Sequence, residues 1–385
     1  MMGYISKFEK YKENDITGRY VTLPMIEDVL MQNTIKGQLK VEGVSVLQKH
    51  IYSYQIGTGK TKLLLWSQMH GNESTTTKAV IDIIRFLNSD DPIAAVWLLH
   101  FTFLFVPMLN PDGAALYTRE NANQVDLNRD FLQLTQPESK LLMRLYESFH
   151  PDFCYNLHDQ RTIFAVGNTV KPATVSFLAP AFNDARDLND VRIKAIDVIV
   201  AINKGLQEMI PGQIGRFDDG FNRSCAGDAF QFLGTPTMLF EAGHYPGDYE
   251  REITRKYIFD ALYLSFIAIY ENVLAKSEIT EYLNIPQNNP CFFDFVYRNV
   301  KINYDNSELI TNFATQYREE ILNDKVVFQT YIESVGDLSG FYGHQEIDAQ
   351  GEMFQDEEGN FPIIGKEGNF YLGKNRKFVN SLLKK

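Results

Sequence analysis

The sequence predicts an α/β fold, a mixed, mostly parallel sheet covered by helices on both faces, with a small C-terminal β-rich domain after it. Apolar runs of strand length alternate with segments of helical periodicity as far as Ala275, and such alternation feeds a sheet with helices packed on each side. The residues with chemistry to offer, His70, His158 and Glu241 among them, sit at the ends of those runs, where sheets of this kind place their sites. Near Asn284-Ile285-Pro286-Gln287-Asn288-Asn289-Pro290 the composition turns to loop formers, which marks a boundary.

Ile51 to Ile56 and Lys62 to Gln68 read as two strands around the turn Gly57-Thr58-Gly59. Ser74 to Asn88 follows as a helix, with Ser74 placed to cap it and Val80, Ile81, Ile83, Ile84 and Leu87 supplying its apolar face. Val96 to Leu109 is apolar enough for a buried central strand. Glu138 to Phe149 reads as a helix that stops before Pro151, and Phe153 to Leu157 as the strand that carries His158. Val191 to Ile210 is helical by the spacing of Ile193, Ile196, Ile199, Val200 and Leu206, with Pro211-Gly212 as its stop. Thr237 to Phe240 is a further buried strand ending on Glu241, and Tyr249 to Ala275 a long helix. These elements define a larger α/β domain over residues 1–283; residues 284–385, with short runs such as Phe292 to Tyr297, Val326 to Tyr331 and Phe370 to Leu372, form the β-rich accessory domain.

A chain of 385 residues with 44% hydrophobic and 13% aromatic content fills a sizeable core. Its formal charge of −12 argues against nucleic acid as a partner, because binding to a phosphate backbone needs a basic face. No membrane partner is expected either: the apolar stretch Ala94 to Leu109 contains His100, Thr102 and Pro107 and falls short of a span. Cys154, Cys225 and Cys291 are odd in number and widely spaced, so no disulfide framework is expected, and Cys154 and Cys225 read as small buried hydrophobes. Met1 to Thr22 is charged throughout and lacks an apolar signal core. The expected location is the cytoplasm. Gly57-Thr58-Gly59-Lys60-Thr61 looks like the tail of a phosphate loop, but position 54 is Tyr and the segment lies between strands, so that reading is rejected.

The most informative stretch is His70-Gly71-Asn72-Glu73, directly behind the run Lys62 to Met69. An imidazole and a carboxylate three residues apart can turn onto one small ion, as a catalytic zinc requires of two of its protein ligands. Downstream come Asn110-Pro111-Asp112-Gly113, Arg119-Glu120-Asn121, Asp126-Leu127-Asn128-Arg129-Asp130, Asn156-Leu157-His158 and Phe240-Glu241-Ala242-Gly243. In that order, over roughly residues 60 to 245, these motifs resemble the M14 family of zinc metallocarboxypeptidases, whose pattern runs H-x-x-E, N-P-D-G, an Arg, D-x-N-R, H and E.

The resemblance implies one Zn2+ per chain, held by His70, Glu73 and His158, and a metalloprotease that releases C-terminal residues from peptides with a free terminal carboxylate. It makes Glu241 the general base, placed at the end of an apolar strand where a carboxyl pKa rises. Arg119 aligns with the Arg that steadies the developing oxyanion, and Asp126 with the residue that orients the first His ligand. Asn128 and Arg129 align with the pair that grips the substrate carboxylate, a task suited to a guanidinium fork. The segment Ser224-Cys225-Ala226-Gly227-Asp228 is expected to line the pocket for the terminal side chain, with Asp228 offering a negative charge.

The chain departs from the digestive branch of that family where a loop Tyr would stand. Asp218 to Ser224 contains none, and Phe221 is left to serve as an apolar lid. Two other functions fit the same motifs. An N-acyl amino-acid deacylase of the aspartoacylase or succinylglutamate desuccinylase type shares the H-x-x-E, D-L-N-R and final Glu pattern, although Asn110-Pro111-Asp112-Gly113 favours the peptidase. A catalytically inactive zinc or peptide-binding module would keep the ligands and lose the base.

Overall fold

The structure, a computed structural model, describes residues 5–272, 279–304 and 307–384. It divides into two compact units, Met1–Gln160 with Ala173–Asn288, and Arg161–Pro172 with Asn289–Lys385. The first unit is built on an eight-stranded sheet. Its strands are β1 (Gly37–Val44), β2 (His50–Ile56), β3 (Thr61–Ser67), β4 (Phe101–Val106), β5 (Phe153–Asp159), β7 (Val175–Leu178), β8 (Ile214–Arg216) and β9 (Thr237–Ala242), with the short β6 (Phe164–Val166) lying in the segment that joins the second unit. The spatial order is β1-β2-β4-β3-β5-β9-β7-β8. The centre, β4-β3-β5-β9, is parallel, and antiparallel pairs flank it. The mixed α/β fold expected from the sequence is thus present.

Alternation along the strands assigns the two cores. On β3, Leu63 and Leu65 point into a large cluster with Ile83 and Phe86 of α3 (Thr75–Asn88) and Phe259 and Leu262 of α9 (Glu252–Tyr270). Leu64 and Trp66 point the other way, toward Leu142 and Leu145 of α6 (Pro137–Phe149) and Phe230 of α8 (Ala226–Phe232). Both faces of the parallel centre are therefore covered, which is why its strands read as nearly continuous apolar runs. No helix among the described residues is long and apolar enough to cross a membrane.

The stretch Val96 to Leu109 contains the expected buried strand, β4, which begins at Phe101; the residues before it, Pro92–His100, form a helix, α4. Asp91 accepts the N–H of Ile93 at 2.9 Å and Pro92 occupies the first turn, a start signal strong enough to decide a run with no periodicity of its own. Both strands expected around Gly57-Thr58-Gly59 are present, as β2 and β3, but they do not pair with each other. β4 lies between them, antiparallel to β2 and parallel to β3. The helix expected over Tyr249 to Ala275 runs over Glu252–Tyr270, and residues 273–275 lie outside the described residues.

In the second unit, β10 (Asn288–Pro290) leads into β11 (Phe292–Tyr304), β12 (Ser307–Leu322), β13 (Lys325–Gly336) and β14 (Tyr342–Asp348), ordered β13-β12-β11-β14. A second sheet holds β15 (Phe354–Gln355), β16 (Phe370–Leu372), β17 (Arg376–Val379) and β18 (Leu382–Leu383). Aromatic rings fill the space inside, with Tyr297 stacked on Phe313 at 4.5 Å between centroids. Residues 161–172 belong here through backbone and side-chain bonds: Phe292 N–H donates to the Ile163 carbonyl at 3.0 Å, and His344 Nε2 lies 2.8 Å from the Thr162 carbonyl.

Candidate active site

β3 delivers the chain to Gln68, whose left-handed φ of 48° turns it sharply out of the sheet. The Gln68 amide holds the turn by donating to the carbonyls of Gly71 and Val21, both at 2.9 Å. Gly71 has no room for a side chain, since a Cβ there would lie 1.9 Å from the Gly113 carbonyl carbon. The two motifs are therefore packed on each other. Asn110 completes the joint. Its Oδ1 accepts Gly113 N–H at 2.9 Å, and its Nδ2 donates to the carbonyls of Met69 and Glu120 at 3.1 and 3.2 Å. Asn110-Pro111-Asp112-Gly113 thus carries no chemistry of its own; it ties the His70 loop to the loop that bears Arg119.

Glu73 stands one residue before the cap of α3. Ser74 occupies the cap position, but its hydroxyl donates to the Arg19 carbonyl at 2.6 Å, so the expected side-chain cap is not made. Asp159 does that work from β5, accepting Thr75 N–H at 2.9 Å and Thr76 N–H at 3.2 Å. Its own backbone N–H donates to Glu73 Oε2 at 3.1 Å.

His70, Glu73 and His158 converge as the motifs imply, with one ligand atom from each lying within 4.8 Å of the others. His70 Nδ1 is 2.8 Å from Glu73 Oε1, His158 Nδ1 is 2.8 Å from Glu73 Oε2, and the two Nδ1 atoms are 3.2 Å apart. On the far side of the first ring, His70 Nε2 donates to Asp126 Oδ1 at 3.0 Å, which leaves Nδ1 as the lone-pair nitrogen. Two imidazole nitrogens and both oxygens of a carboxylate are thereby gathered within reach of one another, a set that could hold a metal ion. His158 Nε2 is buried with no hydrogen-bond partner among the described residues. This donor set suits zinc, which takes nitrogen and carboxylate ligands and keeps a position open when the protein supplies three.

Burial works against a charged His70, but the Glu73 charge and the Asp126 hydrogen bond outweigh it and hold its pKa above the usual value. Burial lowers that of His158. Burial would raise Glu73, yet His70 and His158 hold its carboxyl well below the usual range.

Arg119 reaches the same cluster. Its Nε donates to Asp126 Oδ2 at 3.1 Å, and its Nη1 lies 3.2 Å from Glu73 Oε1 and 3.1 Å from His70 Nδ1. Asp126 also accepts Asn128 N–H at 2.8 Å, so one carboxylate orients the His70 ring, the Arg119 guanidinium and the start of the Asn128-Arg129 turn. Glu241 lies directly across the parallel β5–β9 register from His158. Its Oε2 is buried without a hydrogen-bond partner among the described residues, and burial, with the charges of Glu73 and Asp159 added, pushes its pKa well above the usual value.

On the other side of Asp126, Asn128 Oδ1 accepts Ala226 N–H at 2.9 Å, fastening the segment that follows Cys225. Arg129 does not pair with Asp130, which is spent on Thr135 and Gln136; its Nη1 donates to the Asn128 carbonyl at 2.7 Å and to Cys225 Sγ at 3.1 Å. Cys225 is accordingly half-buried and touches a site residue, a correction to its reading as a buried hydrophobe, whereas Cys154 is buried as expected. Asp228 is buried in the first turn of α8, accepts Asn222 N–H at 2.9 Å and has its pKa raised to about 6 by burial. Sequence reasoning missed Asp159, although its position directly after His158 was visible.

Residues 30–151 match the family model described as zinc carboxypeptidase. That span includes His70, Glu73, Arg119, Asp126, Asn128 and Arg129; His158 and Glu241 lie beyond it. The chain is 30% identical over 132 residues to the probable carboxypeptidase 2 of Trichophyton verrucosum, which covers 33% of this chain and 25% of that protein. It is 38% identical over 77 residues to cytosolic carboxypeptidase 6 of Mus musculus, or 20% of this chain and 14% of that one. The matched part thus spans about a quarter or less of these curated relatives. Among solved structures, a metallo-carboxypeptidase from Burkholderia cenocepacia is similar with a TM-score of 0.52 and 17% identity over 66% of this chain and 70% of that one. A putative carboxypeptidase A from Shewanella denitrificans gives 0.54 and 15% over 64% and 69%. At these identities the structural likeness concerns the fold.

Proposed function

We propose that this chain, which belongs to the zinc carboxypeptidase family, hydrolyses the last peptide bond of peptides that end in a free carboxylate. One observation carries the reading: Glu241, with an unpartnered oxygen, lies across the strand register from His158 at the edge of the His70, Glu73 and His158 cluster. When bound there, zinc supplies a Lewis acid and lowers the pKa of water toward neutrality. We assign one ion per chain to His70, Glu73 and His158.

The remaining steps belong to the protein. Glu241, with its raised pKa, takes a proton from the attacking water and returns it to the leaving amine. Arg119, oriented by Asp126, donates to the carbonyl oxygen as charge builds on it. Arg129, anchored on the Asn128 carbonyl and Cys225, holds the α-carboxylate of the leaving residue beside Asn128. Asp228 stands in the wall of the pocket for the terminal side chain, with its buried carboxyl engaged by the Asn222 N–H and Asn156 left as the polar group free to meet the substrate. The first unit, residues 1–160 with 173–288, serves as the catalytic domain, and the second, residues 161–172 with 289–385, as an accessory domain. The free cysteines among the described residues and the acidic charge support a cytoplasmic peptide hydrolase without a nucleic-acid partner.

The test is a set of N-blocked peptides of increasing length against N-acetyl and N-succinyl amino acids, each with and without C-terminal amidation, read by mass spectrometry. Release of single C-terminal residues from long peptides, lost on amidation and in Arg129→Ala, is the expected result. Activity confined to the small acyl amino acids would make the chain a deacylase. Binding of peptides without turnover by the zinc-loaded protein would make it an inactive module.

A further inference from the structure

Asn156 lies on β5 two residues before His158, so the two side chains share one face of the sheet. It is 1% exposed, and neither its Nδ2 nor its Oδ1 has a hydrogen-bond partner among the described residues. A desolvated carboxamide with both ends unbonded is a cost that native interiors rarely carry, and each instance calls for an explanation. No step of the hydrolysis proposed above uses it.

Its surroundings point to a ligand. Across the β5–β9 register its neighbour is Leu239, which is partly exposed although Met238 and Phe240 on either side are buried. The accessible face of β9 is therefore the one that carries Leu239 and Glu241. From α8, Gly227 approaches without a side chain; a Cβ there would be 3.2 Å from Pro180 Cγ and 3.6 Å from Asn156 Nδ2. The segment around Gly227 is held by Asn128 through Ala226 and touched by Arg129 at Cys225. Contacts thus link Arg129 through residues 225–227 to Asn156. A residue whose α-carboxylate is held at Arg129, with its peptide carbonyl at the His70, Glu73 and His158 cluster, would direct its side chain toward that segment.

We propose that Asn156 forms the floor of the pocket for the C-terminal side chain and selects a side chain that ends in a carboxamide. A carboxamide pairs with both the donor and the acceptor of Asn156. An ammonium group pairs only with Oδ1, a carboxylate only with Nδ2, and an aliphatic chain leaves both ends unbonded. A site whose polar groups must be satisfied rejects the analogue that lacks the partner far more strongly than an apolar pocket rejects a methylene. This inference rests on the carboxypeptidase reading.

The experiment uses the zinc-loaded full chain and peptides that differ only in the last residue, Asn against Leu and Gln against Met, which are pairs of similar size. The expected kcat/KM ratio favours the amide by at least about a hundredfold. Asn156→Leu should bring it to about one or invert it while zinc content stays unchanged, and Asn156→Asp should move the preference toward terminal Lys. Calorimetry with free asparagine, glutamine, leucine and methionine reads the same preference without turnover. If no peptide is cleaved, the carboxypeptidase reading has failed and calorimetry alone decides the role of Asn156. Should Asn156→Leu fail to fold, Asn156→Asp decides it. Equal handling of Asn and Leu by the parent chain, or a preference that neither variant alters, overturns the proposal and leaves Asn156 serving a buried water only.

Discussion

His158 and Glu241 are direct partners in the parallel β5–β9 register, so the last candidate metal ligand and the carboxylate proposed as base are fixed by one backbone pairing. Neither position depends on a loop. Because adjacent parallel strands set the spacing, a substitution that leaves the sheet intact changes the chemistry without moving the scaffold.

Glu241→Gln keeps the shape and removes the base. Turnover should fall by at least about a hundredfold, the usual contribution of a positioned base, with zinc content unchanged. The pH profile gives a second check. Burial, with Glu73 and Asp159 adding their charges, raises the Glu241 pKa well above 4.5. The working form is the carboxylate, so activity is lost as pH falls through that raised value, and the acid limb of kcat/KM should lie above pH 4.5. A near-parent rate in the Gln variant would remove Glu241 from the reaction.

His158→Ala should abolish most zinc binding and leave the fold. The ring is fixed by β5 and by Glu73 at 2.8 Å, and it is replaced by a small residue in a preformed sheet. Metal analysis of the purified variant is the measurement. Full occupancy with unchanged affinity would show that His158 is not a ligand.

Much of this was legible in the sequence, for a physical reason. Residues that converge on one point are kept at fixed offsets within a turn, as His70 is with Glu73 and Asp126 with Asn128 and Arg129, so short motifs carry them. Partners chosen across the fold leave no local pattern. β4 enters between β2 and β3, which only long-range pairing decides. Ser74 looks like the cap of α3, yet Asp159 occupies both N–H groups from another strand. The helix α4 was readable from Asp91-Pro92, but the apolar run after it masked the signal. Residues 161–172 join the second unit through bonds from β11 and β14, more than a hundred residues onward in the sequence.

Asp159→Ala tests whether that unforeseen cap supports the metal. Losing the acceptor for Thr75 and Thr76 N–H should cost about 1–2 kcal/mol, the usual worth of a cap. It also loosens the α3 start that positions Glu73. Zinc affinity should therefore drop about 10- to 100-fold, as when an outer partner of a metal ligand is removed. Thermal unfolding and competitive zinc titration read the two effects separately. A loss of stability with unaltered zinc affinity would confine Asp159 to a structural role.

Glu252 gives a prediction far from the chemistry. It accepts from the buried Lys78 ammonium at 2.6 Å and from Arg255 at 3.1 Å, and Gly18 N–H reaches it at 3.2 Å. Burial would raise its pKa, but Lys78, Arg255 and Lys12 outweigh it and bring it from 4.5 down to about 2. A depressed carboxyl pKa stabilises the fold above 4.5, and that contribution fades as pH falls toward 2; over the full interval it amounts to about 3 kcal/mol. Burial lowers Lys78 to about 8, so Lys78 is charged in both folded and unfolded chains below pH 4.5 and does not alter the slope there. Urea unfolding of the parent and of Glu252→Gln should give stability curves that lie furthest apart near neutral pH and converge between 4.5 and 2. Curves that stay parallel through that interval would mean that Glu252 is not held ionised by its neighbours.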